Sequence, residues 1–200
     1  MQVLDQSSII LSPSNAVEWE KELLKIEKAA RNCYQSEPKG NQHAFIKRLV
    51  DKGHHAMLEF GAMTVQFITD RGVTHEIVRH RLFSFAQEST RYCKYEDEIC
   101  VIRPSTFSSW DQISRDDWEQ TCLYVENCYI AMLKQGLSPQ QARSVLPNSL
   151  KTSIIVHGNF REWRHFFSLR DHDAAHPDMR ALVKPLHEQV KNILPCIFED

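Results

Sequence analysis

The chain has 200 residues, 42% hydrophobic and 25% charged, with a formal net charge of −2 and only 6 Gly and 8 Pro. These values belong to a folded domain, and they exclude disorder, collagen-like repeats and a global basic field that would recruit nucleic acid. The apolar run Ile154-Ile155-Val156 is far short of the ~18 to 20 residues of a membrane span, so no membrane partner is expected either.

In chain order, Met1-Gln2-Val3-Leu4-Asp5 carries no basic region followed by an apolar run, and the reading is cytoplasmic. Asn15, with Glu18 three residues on, predicts a helix over 16–31 with Trp19, Leu23, Ile26 and Ala30 facing inward. A second helix is predicted over 41–52, stopped by Gly53. Met63, Val65 and Phe67 alternate with polar neighbours, which predicts a strand over 62–69 ended by the turn Asp70-Arg71-Gly72. A short helix over 73–82 follows, and 83–92 has no clear period.

Residues 99–102 read as a short strand stopped by Pro104. Trp118, Cys122, Val125, Tyr129 and Met132 recur at steps of three and four, the core stripe of a helix ending near Gly136. Ser138-Pro139-Gln140-Gln141 starts a helix over 139–145, 151–157 reads as strand, 159–172 as a helix with an Asn-x-x-Glu cap, and 177–194 as the closing helix. Six scattered cysteines, at 33, 93, 100, 122, 128 and 196, form no Cys-x-x-Cys and are expected as reduced thiols.

Chemistry concentrates in Arg79-His80-Arg81, followed after seven residues by Ser89 and then Arg91. Arginine stays protonated and offers a planar fork of donors, which suits a phosphate or another delocalised anion. The competing reading is a solvated face, or ion pairs to Glu76 and Glu88.

The pattern Arg79-His80-Arg81-x7-Ser89 with Arg91 resembles the defining motif of the flavin-dependent thymidylate synthases. Further segments agree in order and spacing. They are Ala29-Ala30-Arg31, Gly53-His54 with Glu59, Arg143-x-x-Leu146-Pro147, Asn159-x-Arg161 and Leu169-Arg170, so the resemblance covers about residues 25–180.

The resemblance implies reductive methylation of dUMP to dTMP, with methylenetetrahydrofolate as carbon donor, FAD as redox cofactor and NADPH as reductant. Carried over position by position, it makes Arg170 the catalytic residue that polarises the pyrimidine. Glu76, Arg79, Gln87, Ser89, Arg91, Arg143 and Arg170 form the dUMP set. His54, Arg79, His80, Arg81, Asn159, Arg161 and His165 form the FAD set. Glu76 and Gln87 invert the Gln and Glu usual in the family, and an acid at position 76 is expected to lean on Arg79. Ala175-His176-Pro177-Asp178-Met179-Arg180 departs from the usual Ala-Gln-x-Glu-x-Arg and is expected to alter a helix start. The chain holds no Gly-x-Gly-x-x-Gly, so the flavin pyrophosphate would lie on side chains.

His172 and His176 stand four apart, but Pro177 breaks their helical register and no metal site is expected. His54 and His55 can serve simply as helix-end caps. Ser84 and Ser89 lack a Ser-His-Asp context. The residues by themselves support mixed α and β. The resemblance implies an α+β fold, a largely antiparallel sheet packed by helices, one domain over 1–200, and a homotetramer with FAD at subunit interfaces. Two alternatives stand beside it: an FAD enzyme acting on another pyrimidine nucleotide, and a non-catalytic nucleotide-binding module.

Overall fold

In a computed structural model, which describes residues 1–38 and 40–199, the chain opens with two strands, β1 (Gln2–Leu4) and β2 (Ser7–Ser12). Neither is predicted from pattern, because β1 is three residues long and β2 joins two adjacent isoleucines instead of alternating. α1 (Ala16–Tyr34) is capped by the Asn15 side chain, which accepts from the Glu18 N–H. It outruns the predicted end at Arg31 because the stop is Gln35, a left-handed residue at φ 46 with no glycine to announce it. α2 (Gln42–Asp51) starts on Asn41, and Gly53 supplies the positive φ of 74 that turns the chain away.

A 3-10 turn at His55–Phe60 leads into β3 (Ala62–Asp70), whose odd residues from Met63 to Thr69 are buried, in the predicted alternation. Asp70 is a cap as well as a turn. Its carboxylate accepts from the Val73 N–H and starts α3 (Arg71–Ile77) two residues earlier than expected, and the helix stops at Val78, well before Leu82. β4 (Ser84–Gln87) and β5 (Cys100–Ile102) follow. α4 (Gln112–Lys134) begins at an Asp111 cap, ahead of the apolar stripe that reveals it. α5 (Pro139–Ala142) carries the predicted capping box and relaxes into a 3-10 turn at Arg143–Val145. β6 (Lys151–Asn159), α6 (Phe160–Arg170), α7 (Pro177–Ile193) and α8 (Pro195–Phe198) complete the chain. α7 starts at Pro177 with His176 as its cap, which is how the altered Ala175–Arg180 segment is accommodated.

The architecture is α+β. β2, β3, β6 and β4 form, in that order, a four-stranded antiparallel sheet packed by helices. The parallel exception is β1 with β5, where Val3 faces Val101. All six cysteines are free thiols.

The chain forms two compact units whose boundaries fall inside β2, β3, β4 and β6 and between α3 and β4. The first (1–7, 67–79, 86–154) buries Ile99, Val101, Cys122, Tyr129, Ala142 and Leu150, with Val3, Trp118 and Leu133 packed against them. Glu126 is also buried there, in the middle of the α4 stripe, because its carboxylate accepts the Ile99 N–H at 2.7 Å. The second unit (8–66, 80–85, 155–200) is built on aromatics. Trp163 is fully buried, donates its indole N–H to the Met63 carbonyl at 3.0 Å, and meets Phe83, Phe166 and Phe167. Gly61 is required in this unit because an added Cβ would fall 2.7 Å from the Phe160 ring.

Candidate functional site

The sequence-predicted residues divide between the units. Glu76, Arg79, Gln87, Ser89, Arg91 and Arg143 belong to the first, and His54, His80, Arg81, Asn159, Arg161, His165 and Arg170 to the second.

In the first unit, β4 delivers the loop that carries Ser89 and Arg91. The loop is ordered by Glu88, whose backbone N–H donates to the Ser153 carbonyl at 2.9 Å. The Glu88 carboxylate accepts from Lys151 at 2.9 Å and from the Tyr95 hydroxyl at 2.7 Å. Burial opposes ionisation of Glu88, but these bonds outweigh it and hold the carboxyl below its ordinary value, while burial and the anion push the Tyr95 phenol up. Ser89 opens a turn in which its hydroxyl accepts from the Arg91 N–H at 3.3 Å. The Arg91 Nε donates to Gln140 Oε1 at 3.0 Å, and Arg143 donates to the buried Thr90 hydroxyl at 3.3 Å. Two guanidiniums are thus set around Ser89 and Thr90, and their donor chemistry suits an anion. Gln87 faces inward, donating its amide to the Thr74 and Thr152 hydroxyls at 3.0 and 3.4 Å. Glu76 is half-buried on α3, and Arg79 is exposed at the turn that follows, its N–H on the Glu76 carbonyl.

In the second unit, His80 points into the protein while Arg81 is exposed. Its ring lies edge-on to Phe166 at 4.9 Å, with Phe83 and His165 within 6.0 Å. The Arg170 Nε, at the end of α6, donates to His80 Nε2 at 3.0 Å, and Glu162 Oε1 lies 3.4 Å from His80 Nδ1. Burial, the Arg170 charge and His165 push the His80 pKa down to about 4, so the imidazole is neutral and an acceptor at Nε2. Burial raises the Glu162 carboxyl against the pull of His165. Glu162 and Gln140 are missed as site residues in sequence. Both sit in helix-start signatures, and nothing local shows that their side chains reach a histidine and an arginine in tertiary contact.

A cleft of about 660 Å³ in this unit is lined by Asn159, Arg161 and His165, together with His55, Leu82, Arg164, Ser168 and the carboxylates Glu59 and Glu162. That volume is in the range of small-molecule sites. Arg161 pairs with Glu59 at 2.6 Å on the rim, and Arg164 donates to the Ile197 carbonyl. Asn159 spends its side-chain oxygen capping the Glu162 N–H. His54 is exposed at the head of the 3-10 turn and its ring caps nothing there. His55 does the capping, its Nε2 3.2 Å from the Val50 carbonyl. His172 and His176 each accept a backbone N–H, from Ala174 and Asp178, at 3.1 and 3.3 Å.

Residues 17–196 match the family described as thymidylate synthase complementing protein. A flavin-dependent thymidylate synthase from Mycobacterium avium is 32% identical over 195 residues, spanning 88% of this chain and 78% of the relative. The chain belongs to the flavin-dependent thymidylate synthase family. It is accordingly a methyltransferase enzyme. The flavin-dependent thymidylate synthase of Mycobacterium tuberculosis has the same 32% identity and coverage. Among solved structures, the UMP/dUMP methylase PolB from Streptomyces cacaoi bound with 5-Br dUMP superposes with a TM-score of 0.81 over 100% of this chain and 96% of that one, at 21% identity. This likeness shows that the fold is shared, over nearly the full length of both chains.

Proposed function

We propose that the protein reductively methylates dUMP to dTMP, taking the carbon from methylenetetrahydrofolate, with FAD as redox cofactor and NADPH as reductant. The observation that carries this reading is the Arg170 guanidinium, held at the end of α6 by a buried neutral imidazole in a chain of this family.

Carbon 5 of uracil is a poor nucleophile until negative charge develops on the ring. Arg170 stays cationic at any working pH, so placed beside the pyrimidine it stabilises that charge as a preorganised dipole would, without a protein nucleophile. Arg91 and Arg143, supported by Gln140 and Thr90, grip the nucleotide phosphate, with Ser89 and Arg79 as further donors. Gln87 meets the base through its carbonyl oxygen, since its amide nitrogen serves Thr74 and Thr152. Glu76 completes the set from α3.

The residues present fit a flavin. The cleft bearing Arg161 and Arg164 offers guanidiniums for a pyrophosphate, with Asn159 and His165 also in its lining, and the family resemblance adds His54 to the cofactor set. When bound and reduced, FAD supplies the hydride that takes the transferred carbon to the methyl level. Arg79 and Arg81 are exposed on either side of His80, which suits a cofactor shared between subunits of a homotetramer. We take residues 1–200 as one domain of this type acting in the cytoplasm, where six free thiols persist.

The test is purified protein supplied with dUMP, methylenetetrahydrofolate and NADPH, with dTMP measured by chromatography and flavin by absorbance. A yellow protein that forms dTMP is expected. A colourless protein that ignores added FAD, or a flavoprotein that leaves dUMP unchanged, overturns the reading.

A further inference from the structure

We propose that His80 is a positioning residue for Arg170, whose Nε–H bond to the imidazole Nε2 aims the guanidinium at the pyrimidine. This rests on the assignment of Arg170 made above. An arginine has a long, freely rotating side chain, and a guanidinium that must meet developing charge has to be held in a narrow geometry. The 3.0 Å bond engages Nε, the one donor set back along the side chain, and so fixes the guanidinium plane at its base.

The acceptor is itself held. Phe166 and Phe83, themselves 5.7 Å apart, pack together against the ring at 4.9 and 6.0 Å. Glu162 lies 3.4 Å from Nδ1 and favours the proton there, which leaves the lone pair on Nε2. The titratable and charged groups facing His80 are therefore Arg170, Glu162 and His165, all from α6. An imidazolium in this place would lose its lone pair and repel Arg170. The triplet Arg79-His80-Arg81 thus combines two exposed cations with one inward-facing neutral acceptor.

Two variants test this. His80→Leu keeps apolar volume without an acceptor, and His80→Gln returns a carbonyl oxygen near the Nε2 position. Measured at saturating added FAD, we expect His80→Leu to keep a near-wild-type KM for dUMP while kcat falls by ~100-fold, the scale of a misplaced catalytic group, and His80→Gln to recover most of kcat. Equal losses in both variants overturn the proposal. Wild-type turnover in His80→Leu alongside an inactive Arg170→Ala overturns the positioning role alone, whereas normal turnover in Arg170→Ala overturns the assignment beneath it. Nitrogen NMR of histidine-labelled wild-type protein decides the matter even where a variant fails to fold. At neutral pH, His80 should carry its proton on Nδ1, with an Nε2 resonance that shifts in Arg170→Ala, and an imidazolium or an Nε2–H tautomer overturns the bond.

Discussion

The Nε of Arg91 donates to Oε1 of Gln140 over 3.0 Å, which ties the loop after Ser89 to the segment that ends in Arg143. If these arginines hold the dUMP phosphate, Arg91→Ala weakens dUMP binding by ~1.5 to 3 kcal/mol, the scale of a hydrogen bond to a charged group, and Gln140→Ala by only ~0.5 to 1.5 kcal/mol, since it frees the arginine without removing it. Calorimetric titration with dUMP ranks the two. The reverse order would contradict the arrangement.

Arg170→Ala retains FAD and loses turnover by ~100- to 1,000-fold, the cost of removing one preorganised donor from a site of developing charge. Flavin absorbance and dTMP formation report the two effects separately. Wild-type turnover would take Arg170 out of the chemistry.

The buried His80 also makes stability depend on pH. Its folded value of about 4 lies below the ordinary 6.5, so its contribution is fully present above pH 6.5. As pH falls from there toward 4, the unfolded chain takes up a proton that the native protein refuses, and stability drops by up to roughly 1.4 kcal/mol per pH unit. His80→Gln should remove that part of the slope. Urea unfolding of both proteins across this interval measures the difference, and parallel curves would refute it.

Gly158 lies against Phe83 so closely that an added Cβ would sit 2.1 Å from a ring carbon. Phe83 is itself locked against Trp163 at 4.5 Å, so it has little room to yield. Gly158→Ala should cost ~1 to 3 kcal/mol through overpacking, read by thermal unfolding. An unchanged midpoint would mean that the ring can swing away.

The parts of the fold legible in sequence are those governed by short-range rules. Asn15, Asn41 and Asn159 start helices because a short side-chain oxygen reaches an orphan N–H two or three residues on, whatever the rest of the chain does. β3 declares itself by alternation because one of its faces is buried. β1 and β4 are too short for any period, and their existence depends on partners distant in the chain. Glu126 was invisible for a related reason, since a carboxylate in an apolar stripe makes sense only once the Ile99 N–H is found beside it.

The candidate site divides the same way. Residue type alone determined that Arg79, Arg81, Arg91, Arg143 and Arg170 are permanent cations able to bind anions, and the order of the motif in the chain marked the family. Only the tertiary structure decided which member of the basic triplet turns inward and what it does there. Burial selects the histidine because imidazole can shed its proton to enter an apolar interior and guanidinium cannot, and the neutral ring that results becomes an acceptor for Arg170 from ninety residues away.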